Sequence, residues 1–146
     1  MNYLTIGSNN SIGEYSIITA RNVLCQEPQI IIGDNCNIGP YNHITCINSV
    51  IIGDGFLSGR WVTITDNSHG ETKLEELHIE PWNRMLKSKG PVVIGKNVWI
   101  GDKVTILPGV KIGDGVVVGA NSVISHDLPS NCVACGNPAR VKKMIK

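Results

Sequence analysis

The chain has 146 residues, and 13 Lys and Arg against 12 Asp and Glu leave a formal charge of +1. This near-neutral balance excludes the basic surface that nucleic acids and anionic membranes attract, and 42% hydrophobic residues exclude a disordered chain. The hydrophobic residues are mostly β-branched, with 20 Ile and 14 Val against 8 Leu and 4 Ala. Because β-branched side chains pack well on a pleated surface, the composition predicts an all-β protein of many short strands, with one domain over 1–146.

The chain also lacks the signals of membrane insertion or secretion. No stretch approaches the roughly 18 apolar residues that span a bilayer, and the first residues carry neither a basic segment nor an apolar one. We therefore expect a cytoplasmic protein with no integral membrane segment. Five Cys, an odd number, favour free thiols over a disulfide framework.

A six-residue repeat runs along the chain. Six consecutive units begin with an aliphatic residue, and the fifth position of each is small or apolar; the first residues are Ile94, Ile100, Ile106, Ile112, Val118 and Ile124. Two inward residues per six fit a short strand followed by a corner, so three units would close a triangular coil of about 18 residues. The repeat predicts a solenoid.

Earlier units follow the same pattern with a two-residue bulge, since IIIGD at 30–34 and VIIGD at 50–54 lie 20 residues apart. The predicted coils are a partial one over 6–11 and full ones over 12–31, 32–51, 52–69, 94–111 and 112–129. Residues 70–93 fit no unit and predict a long loop insertion, which is either functional or a tolerated surface excursion. Residues 130–146 leave the repeat and are expected to form a short C-terminal cap.

Two short motifs carry a family resemblance. The stretch 91–141, with NVWIG at 97–101 and GNPARV at 136–141, resembles the hexapeptide-repeat acyltransferases of the galactoside, maltose and polysaccharide O-acetyltransferase group. The resemblance implies a left-handed parallel β-helix, here of about five coils, and a homotrimer with sites at subunit boundaries. It also implies acetyl transfer from acetyl-CoA to a hydroxyl of a sugar or cell-surface polysaccharide precursor.

Acetyl transfer to a hydroxyl requires a base, and His is the side chain best matched to that task at neutral pH. His69 ends the run ITDNSHG at 64–70, immediately before the insertion. This run resembles the family segment that ends in the catalytic histidine, so His69 is the expected general base for direct transfer in a ternary complex. The alternative is a corner histidine hydrogen-bonded to the loop. His43 is expected at a surface corner, His78 has no assigned role, and His126 stands where the family more often has lysine.

The resemblance also implies a cofactor site. The implied acetyl-CoA contacts, from the acyl end to the phosphates, are Trp99, Asp102, Ala120, Ser125, Arg140 and Lys143. The alternatives are exposed packing for Trp99 and a solvated basic tail for the last two. No HExxH motif or paired CxxC is present, so we expect no metal in the chemistry. Cys36 falls at an inward position, which argues against thiol catalysis.

The acceptor site departs from the family pattern. The positions of the acceptor asparagine and the following aspartate pair hold Gly39 and Cys46-Ile47, with Tyr41 or Asn42 as substitutes. These departures argue against a simple galactoside or maltose acceptor. They leave two alternatives open: an N-acetyltransferase acting on an amino sugar or xenobiotic, and a non-catalytic β-helix scaffold.

Overall fold

Short strands separated by corners make up most of the chain, as the six-residue repeat predicts. The computed structural model describes residues 2–23 and 27–146. The strands in chain order are β1 Leu4–Ile6, β2 Ser11–Ile12, β3 Ile17–Ala20, β4 Gln29–Ile32, β5 Asn37–Ile38, β6 His43–Cys46, β7 Ser49–Ile52, β8 Leu57–Ser58, β9 Thr63–Thr65, β10 Asn67–His69, β11 Leu86–Ser88, β12 Val92–Ile94, β13 Trp99–Ile100, β14 Thr105–Ile106, β15 Lys111–Ile112, β16 Val117–Val118, β17 Val123–Ile124, β18 Cys132–Gly136 and β19 Ala139–Met144. The helical segments within the described ranges are two 3-10 turns, η1 Leu74–Glu76 and η2 Pro81–Asn83. The all-β prediction is confirmed.

The strands build three large sheets and one two-stranded hairpin, β10-β11. Sheet 1 has the order β1-β4-β7-β12-β15, sheet 2 the order β2-β5-β8-β13-β16-β18-β19, and sheet 3 the order β3-β6-β9-β14-β17. Every pairing within these sheets is parallel except that of β18 with β19. Three parallel sheets visited in turn are consistent with the left-handed β-helix that the family resemblance implies. In residues 2–23 and 27–146, no helix is long and apolar enough to cross a membrane.

The predicted inward residues form the core. The first residues of the six C-terminal units are all buried, as are the fifth residues, which are Val98, Val104, Val110, Val116, Ser122 and Leu128. Burying each large aliphatic side chain contributes about 1.5–3 kcal/mol, and the stacked rows sum these contributions along the solenoid. The Gly that follows many of these residues keeps adjacent coils close. A Cβ at Gly101 would lie 2.7 Å from Ala120 N, which no real side chain tolerates.

The register of the first coil corrects the sequence prediction of a coil over 12–31. Ile6 pairs with Ile32, and Ile12 pairs with Ile38 rather than with Ile32. The first coil therefore begins at Ile6 and includes the predicted partial coil, with its extra residues after β3. Most units carry an inward aliphatic residue at the same position, so the repeat does not distinguish pairings that differ by one unit. Residues 24–26 of the predicted coil over 12–31 lie outside the described residues.

The last predicted coil, 112–129, also needs correction, because it is two residues too long. Ile112 bridges Leu128, and Val118 pairs with Ala134, so this coil closes after 16 residues. The predicted cap over 130–146 thus begins with β18, which still extends sheet 2 in parallel. Only β19 reverses direction, and its antiparallel pairing covers the edge of β18.

A stack of aromatic rings follows the corner between sheets 2 and 3. Tyr15, Tyr41 and Trp61 each have a left-handed backbone, with φ of 59°, 59° and 60°. The Tyr41 ring lies 5.2 Å from the Tyr15 ring and 4.4 Å from the Trp61 ring, measured between centroids. Left-handed φ is costly for such residues, and stacking between successive coils offsets that cost.

Candidate active site

His69 lies on a hairpin that leaves the solenoid at the end of a sheet 3 strand. The chain departs after β9, and β10 then pairs antiparallel with β11, which places His69 opposite Leu86. The hairpin closes with a hydrogen bond from Gly70 N to Met85 O at 2.9 Å. The imidazole is exposed and stacks on the Trp82 indole of the insertion, with ring centroids 5.9 Å apart.

A buried carboxylate anchors the point at which this hairpin departs. Asp66 is fully buried, and its oxygens accept hydrogen bonds from the backbone amides of Ile47, Asn48 and Ser49 at 2.7–3.2 Å. The Asn67 side-chain amide donates to the same carboxylate at 3.0 Å. A charged acceptor with several donors holds its neighbours strongly, so Asp66 fixes the direction of the strand that carries His69.

Two clefts meet at His69. The first, called the sheet-3 cleft, has a volume of about 600 Å³ and lies between the outer face of sheet 3 and the insertion. Its polar and aromatic lining includes Arg21, His43, Asn67, His69, Trp82 and Arg84. Among the described residues that line it, none is Asp or Glu. The sheet-3 cleft therefore offers cationic groups and hydrogen-bonding groups beside the imidazole.

The second cleft, called the hairpin cleft, has a volume of about 420 Å³ and lies within the insertion. Residues 68–73 form one side and residues 87–89 the other. An ion pair between Lys73 and Glu71 lies at its rim, and it holds the pKa of the Glu71 carboxyl below its usual value. His69 thus has open space on both sides, as a base between a donor and an acceptor needs.

The predicted cofactor residues do not join His69 within one chain. Trp99 lies on sheet 2, 54% exposed, between Leu57 and Val117 on the neighbouring strands. Asp102 and Ala120 occupy corners of the same region, and the Asp102 carboxylate accepts a hydrogen bond from Arg60 N at 2.9 Å. None of the three lines either cleft at His69.

The remaining predicted cofactor residues lie near the C-terminal end. A third cleft of about 290 Å³ is lined by His126, Asp127, Arg140 and their apolar neighbours. Ser125 borders it, since its Oγ lies 2.9 Å from His126 Nδ1. Lys143 is exposed on β19, opposite Val133. Ser125 thus borders the cleft that Arg140 lines, and Lys143 lies three residues beyond Arg140 on the same strand, β19, outside the lining of the cleft.

The residues considered for acceptor binding are placed differently from the sequence prediction. Asn42 is 2% exposed, and its side chain is engaged in the coil, donating to Gly39 O and Gly59 O and accepting from Val62 N. It has no group left for a ligand, so that suggestion is wrong. Tyr41 belongs to the ring stack described above. Ile47 lines the sheet-3 cleft, whereas Cys46 points into the core.

Sequence reasoning missed several residues around His69. His43, expected at a corner, lies instead on the outer face of sheet 3, where it pairs with Thr63 and lines the sheet-3 cleft. Arg21, Trp82 and Arg84 were not singled out, because their approach to His69 depends on the path of the insertion and of the first coil. The sequence signal that could have identified His43 is its spacing. It lies 20 residues, or one coil, before Thr63, and therefore beside the strand that leads to His69.

The cysteines of the described ranges are free thiols that are buried or partly exposed. Cys36, Cys46 and Cys132 are buried and Cys135 is partly exposed. Burial raises the thiol pKa of the three buried residues, for Cys46 to about 12 with help from the Asp66 carboxylate. A thiol held neutral is a poor nucleophile, so these three residues are unsuited to covalent catalysis. Within residues 2–23 and 27–146, no three His, Cys, Asp or Glu side chains meet as metal ligands.

Comparisons with known proteins agree with this architecture. Residues 91–126 match the family model described as bacterial transferase hexapeptide (six repeats). The chain is 46% identical over 118 residues to Escherichia coli K12 WbbJ, which carries a provisional assignment as a lipopolysaccharide biosynthesis O-acetyl transferase. That match covers 78% of this chain and 60% of WbbJ, so the chain spans less than two thirds of that relative.

Two further comparisons extend over more of the molecule. The chain is 33% identical over 144 residues to the galactoside O-acetyltransferase of E. coli K12, covering 89% of this chain and 71% of that protein. A solved structure of galactoside acetyltransferase in complex with coenzyme A superposes with a TM-score of 0.79 at 34% identity. The superposition covers 97% of this chain and 65% of the galactoside acetyltransferase chain. The chain therefore belongs to the bacterial hexapeptide-repeat transferase family, among relatives named as O-acetyltransferases.

Proposed function

We propose that this protein transfers an acetyl group from acetyl-CoA to a hydroxyl of a sugar or cell-surface polysaccharide precursor. The observation that carries the proposal is the position of His69 between two clefts, on a hairpin anchored by Asp66. The similarity to galactoside O-acetyltransferase, and the coenzyme A complex of such an enzyme, support the donor and the reaction class.

The proposed chemistry is a direct transfer. The acceptor hydroxyl oxygen attacks the thioester carbonyl carbon while the His69 imidazole takes the hydroxyl proton. The carbon–sulfur bond then breaks, the new ester is released, and the proton passes from the imidazolium to the CoA thiolate. Because the described buried thiols are poor nucleophiles, no acetyl-cysteine intermediate is part of this proposal.

His69 is tested by substitution. His69→Ala is expected to lower turnover at least about 100-fold, the usual contribution of a positioned base, with unchanged calorimetric binding of acetyl-CoA. His78→Ala is the matched control, because His78 is an exposed histidine of the same insertion and lines neither cleft at His69. Full turnover by His69→Ala would exclude it as the base. Mass analysis and hydroxylamine lability of the product separate an ester from an amide, and hence an O-acetyltransferase from the N-acetyltransferase alternative.

The cofactor site is proposed to form between subunits of a homotrimer. Trp99 lies on sheet 2 and His69 beside sheet 3, and one chain does not bring them into a common cleft. A neighbouring subunit would supply Trp99, Asp102 and Ala120 to complete the groove that begins at His69. Ser125, Arg140 and Lys143 are proposed to hold the nucleotide end, since fixed cations suit phosphates.

Subunit mixing tests this arrangement. His69→Ala and Trp99→Ala chains, each with low turnover alone, are co-expressed with two different tags and purified as mixed trimers. If each site takes His69 from one subunit and Trp99 from the next, one of the three sites in every mixed trimer is intact, and the purified mixed trimers recover about one third of wild-type turnover. No restoration would place both residues in one subunit. Light scattering first establishes the oligomeric state, and absence of acetyl-CoA binding by a folded trimer would favour the scaffold alternative. The cytoplasmic location stays a prediction.

A further inference from the structure

The sheet-3 cleft carries an unusual charge for a site that binds a neutral sugar. Arg21, His43, His69 and Arg84 line it, and no described residue that lines it is acidic. Neutral sugars present hydroxyl donors as well as acceptors, so their sites commonly combine carboxylate acceptors with donors. A cleft with two arginines instead favours a ligand that brings its own negative charge.

The two arginines come from separate parts of the chain and meet at this cleft. Arg21 follows β3, and its backbone is tied to the next coil by a hydrogen bond from Arg21 N to Cys46 O at 2.9 Å. Arg84 follows η2 and is partly buried, with its Nε donating to Ile79 O at 3.0 Å. That bond holds the guanidinium group at the edge of the cleft. The Arg84 guanidinium is therefore held by the backbone, and the backbone of Arg21, whose side chain is exposed, is held by the next coil.

The departure at the acceptor positions agrees with this charge. The resemblance to the galactoside enzymes would place an aspartate pair where this chain has Cys46 and Ile47. Both residues are buried here, and Ile47 contributes an apolar wall to the cleft. A carboxylate at position 47, which lines the cleft, would repel an anionic acceptor or pair with the arginines, and this chain has an isoleucine there.

We infer that the acceptor is an anionic sugar, whose carboxylate or phosphate is held by Arg21 and Arg84 while its hydroxyl reaches His69. This inference rests on the proposed function and specifies its substrate class. A planar guanidinium group pairs with a carboxylate or a phosphate through two parallel hydrogen bonds, which gives both charge and orientation. Thr19, Thr45 and Asn67 line the same cleft and supply hydrogen bonds to the neutral part of the sugar.

The experiment measures binding separately from turnover. Saturation-transfer NMR titrations of the trimer saturated with CoA compare D-galacturonate with D-galactose, and D-glucose 6-phosphate with D-glucose. The charged member of at least one pair is expected to bind about tenfold more tightly, and the two pairs distinguish a carboxylate from a phosphate. Arg21→Gln and Arg84→Gln should remove the preference and leave binding of the neutral sugar unchanged. Arg60→Gln, which removes an exposed cation outside the clefts, is the matched control and should keep the preference.

The outcomes separate this inference from the proposed function. Equal binding within both pairs overturns the inference, and the proposed function stands if any of the four sugars is acetylated. A preference seen without CoA and lost when CoA is bound also overturns it, because the arginines would then serve the cofactor phosphates. A charge preference that depends on Arg21 and Arg84, without acetylation of any of the four sugars, supports an anionic-sugar site at these arginines and counts against acetyl transfer to the sugar bound there.

Discussion

The imidazole of His69 stacks against the indole of Trp82, with ring centroids 5.9 Å apart and ring planes inclined by 26°. The indole belongs to η2 in the insertion and is 82% exposed, so one ring face is turned to the histidine while most of the side chain meets solvent. An exposed aromatic ring beside the proposed base is a surface on which the ring of a sugar acceptor can pack, and it also restricts the orientation of the imidazole.

Trp82→Ala is expected to lower kcat/KM for the acceptor about two- to tenfold, the loss that corresponds to one aromatic pair of about 0.5–1.5 kcal/mol. Trp82→Phe should retain most of the activity, and acetyl-CoA binding should not change in either variant. Leu74→Ala is the matched control, because Leu74 is an apolar residue of the same insertion with 80% exposure. Steady-state kinetics with varied acceptor test the prediction, and an unchanged kcat/KM for Trp82→Ala would contradict it.

Asp66→Asn should destabilise the fold by about 3 kcal/mol. The buried carboxylate accepts hydrogen bonds from three backbone amides and one side-chain amide, and the asparagine NH₂ group would face at least one of those donors. Asp127→Asn is the control, because Asp127 is exposed and Lys111 N is its donor at 2.8 Å. Urea unfolding at equal protein concentrations measures both variants, and similar losses would contradict the special role of Asp66.

The ring stack predicts opposite effects for one substitution at two corners with the same backbone. Tyr41 and Lys103 have φ of 59° and 57°, a region that asparagine tolerates better than either residue. Lys103→Asn should stabilise the protein by about 0.5–1 kcal/mol, because it relieves backbone strain. Tyr41→Asn relieves the same strain but loses two ring contacts, for a net destabilisation of about 1 kcal/mol. Thermal unfolding that shifts both variants in the same direction would contradict this account.

The buried thiol of Cys46 predicts a loss of stability at alkaline pH. Burial, aided by the Asp66 carboxylate, raises its pKa from 9.0 to about 12, so the fold favours the neutral thiol. The contribution is fully present below pH 9, where the unfolded thiol is also neutral, and is lost as the pH rises from 9 towards 12. One such group lowers the free energy of unfolding by up to about 1.4 kcal/mol per pH unit in this window.

Cys46→Ala should therefore show a shallower decline between pH 9 and 11 than the parent protein, measured by urea unfolding under reducing conditions. Cys135→Ala is the control, because Cys135 is only partly buried and should leave the decline unchanged. Parallel pH profiles for Cys46→Ala and the parent would show that this thiol does not titrate as the structure indicates.

The core and the all-β character followed from the sequence because they are properties of a local repeat. An aliphatic residue every six positions, followed by a small or apolar fifth residue, specifies which side chains face inward whichever coil lies next to them. The first residues of the six C-terminal units, from Ile94 to Ile124, are buried for this reason. The family resemblance likewise rested on contiguous motifs around Trp99 and Arg140, and the comparisons confirm the family.

Other features depended on which coil lies against which, and the repeat carries no information on that because its units are interchangeable. Only the tertiary structure decided that Ile12 pairs with Ile38 and that His43 faces the sheet-3 cleft. It also decided that the Asn42 side chain makes its hydrogen bonds inside the coil. The insertion has no repeat at all, so the approach of Trp82 and Arg84 to His69 comes from the hairpin of β10 and β11 and from long-range packing. The sequence by itself determined the solenoid and singled out His69 as the expected base, and the three-dimensional path of the chain decided what surrounds that histidine.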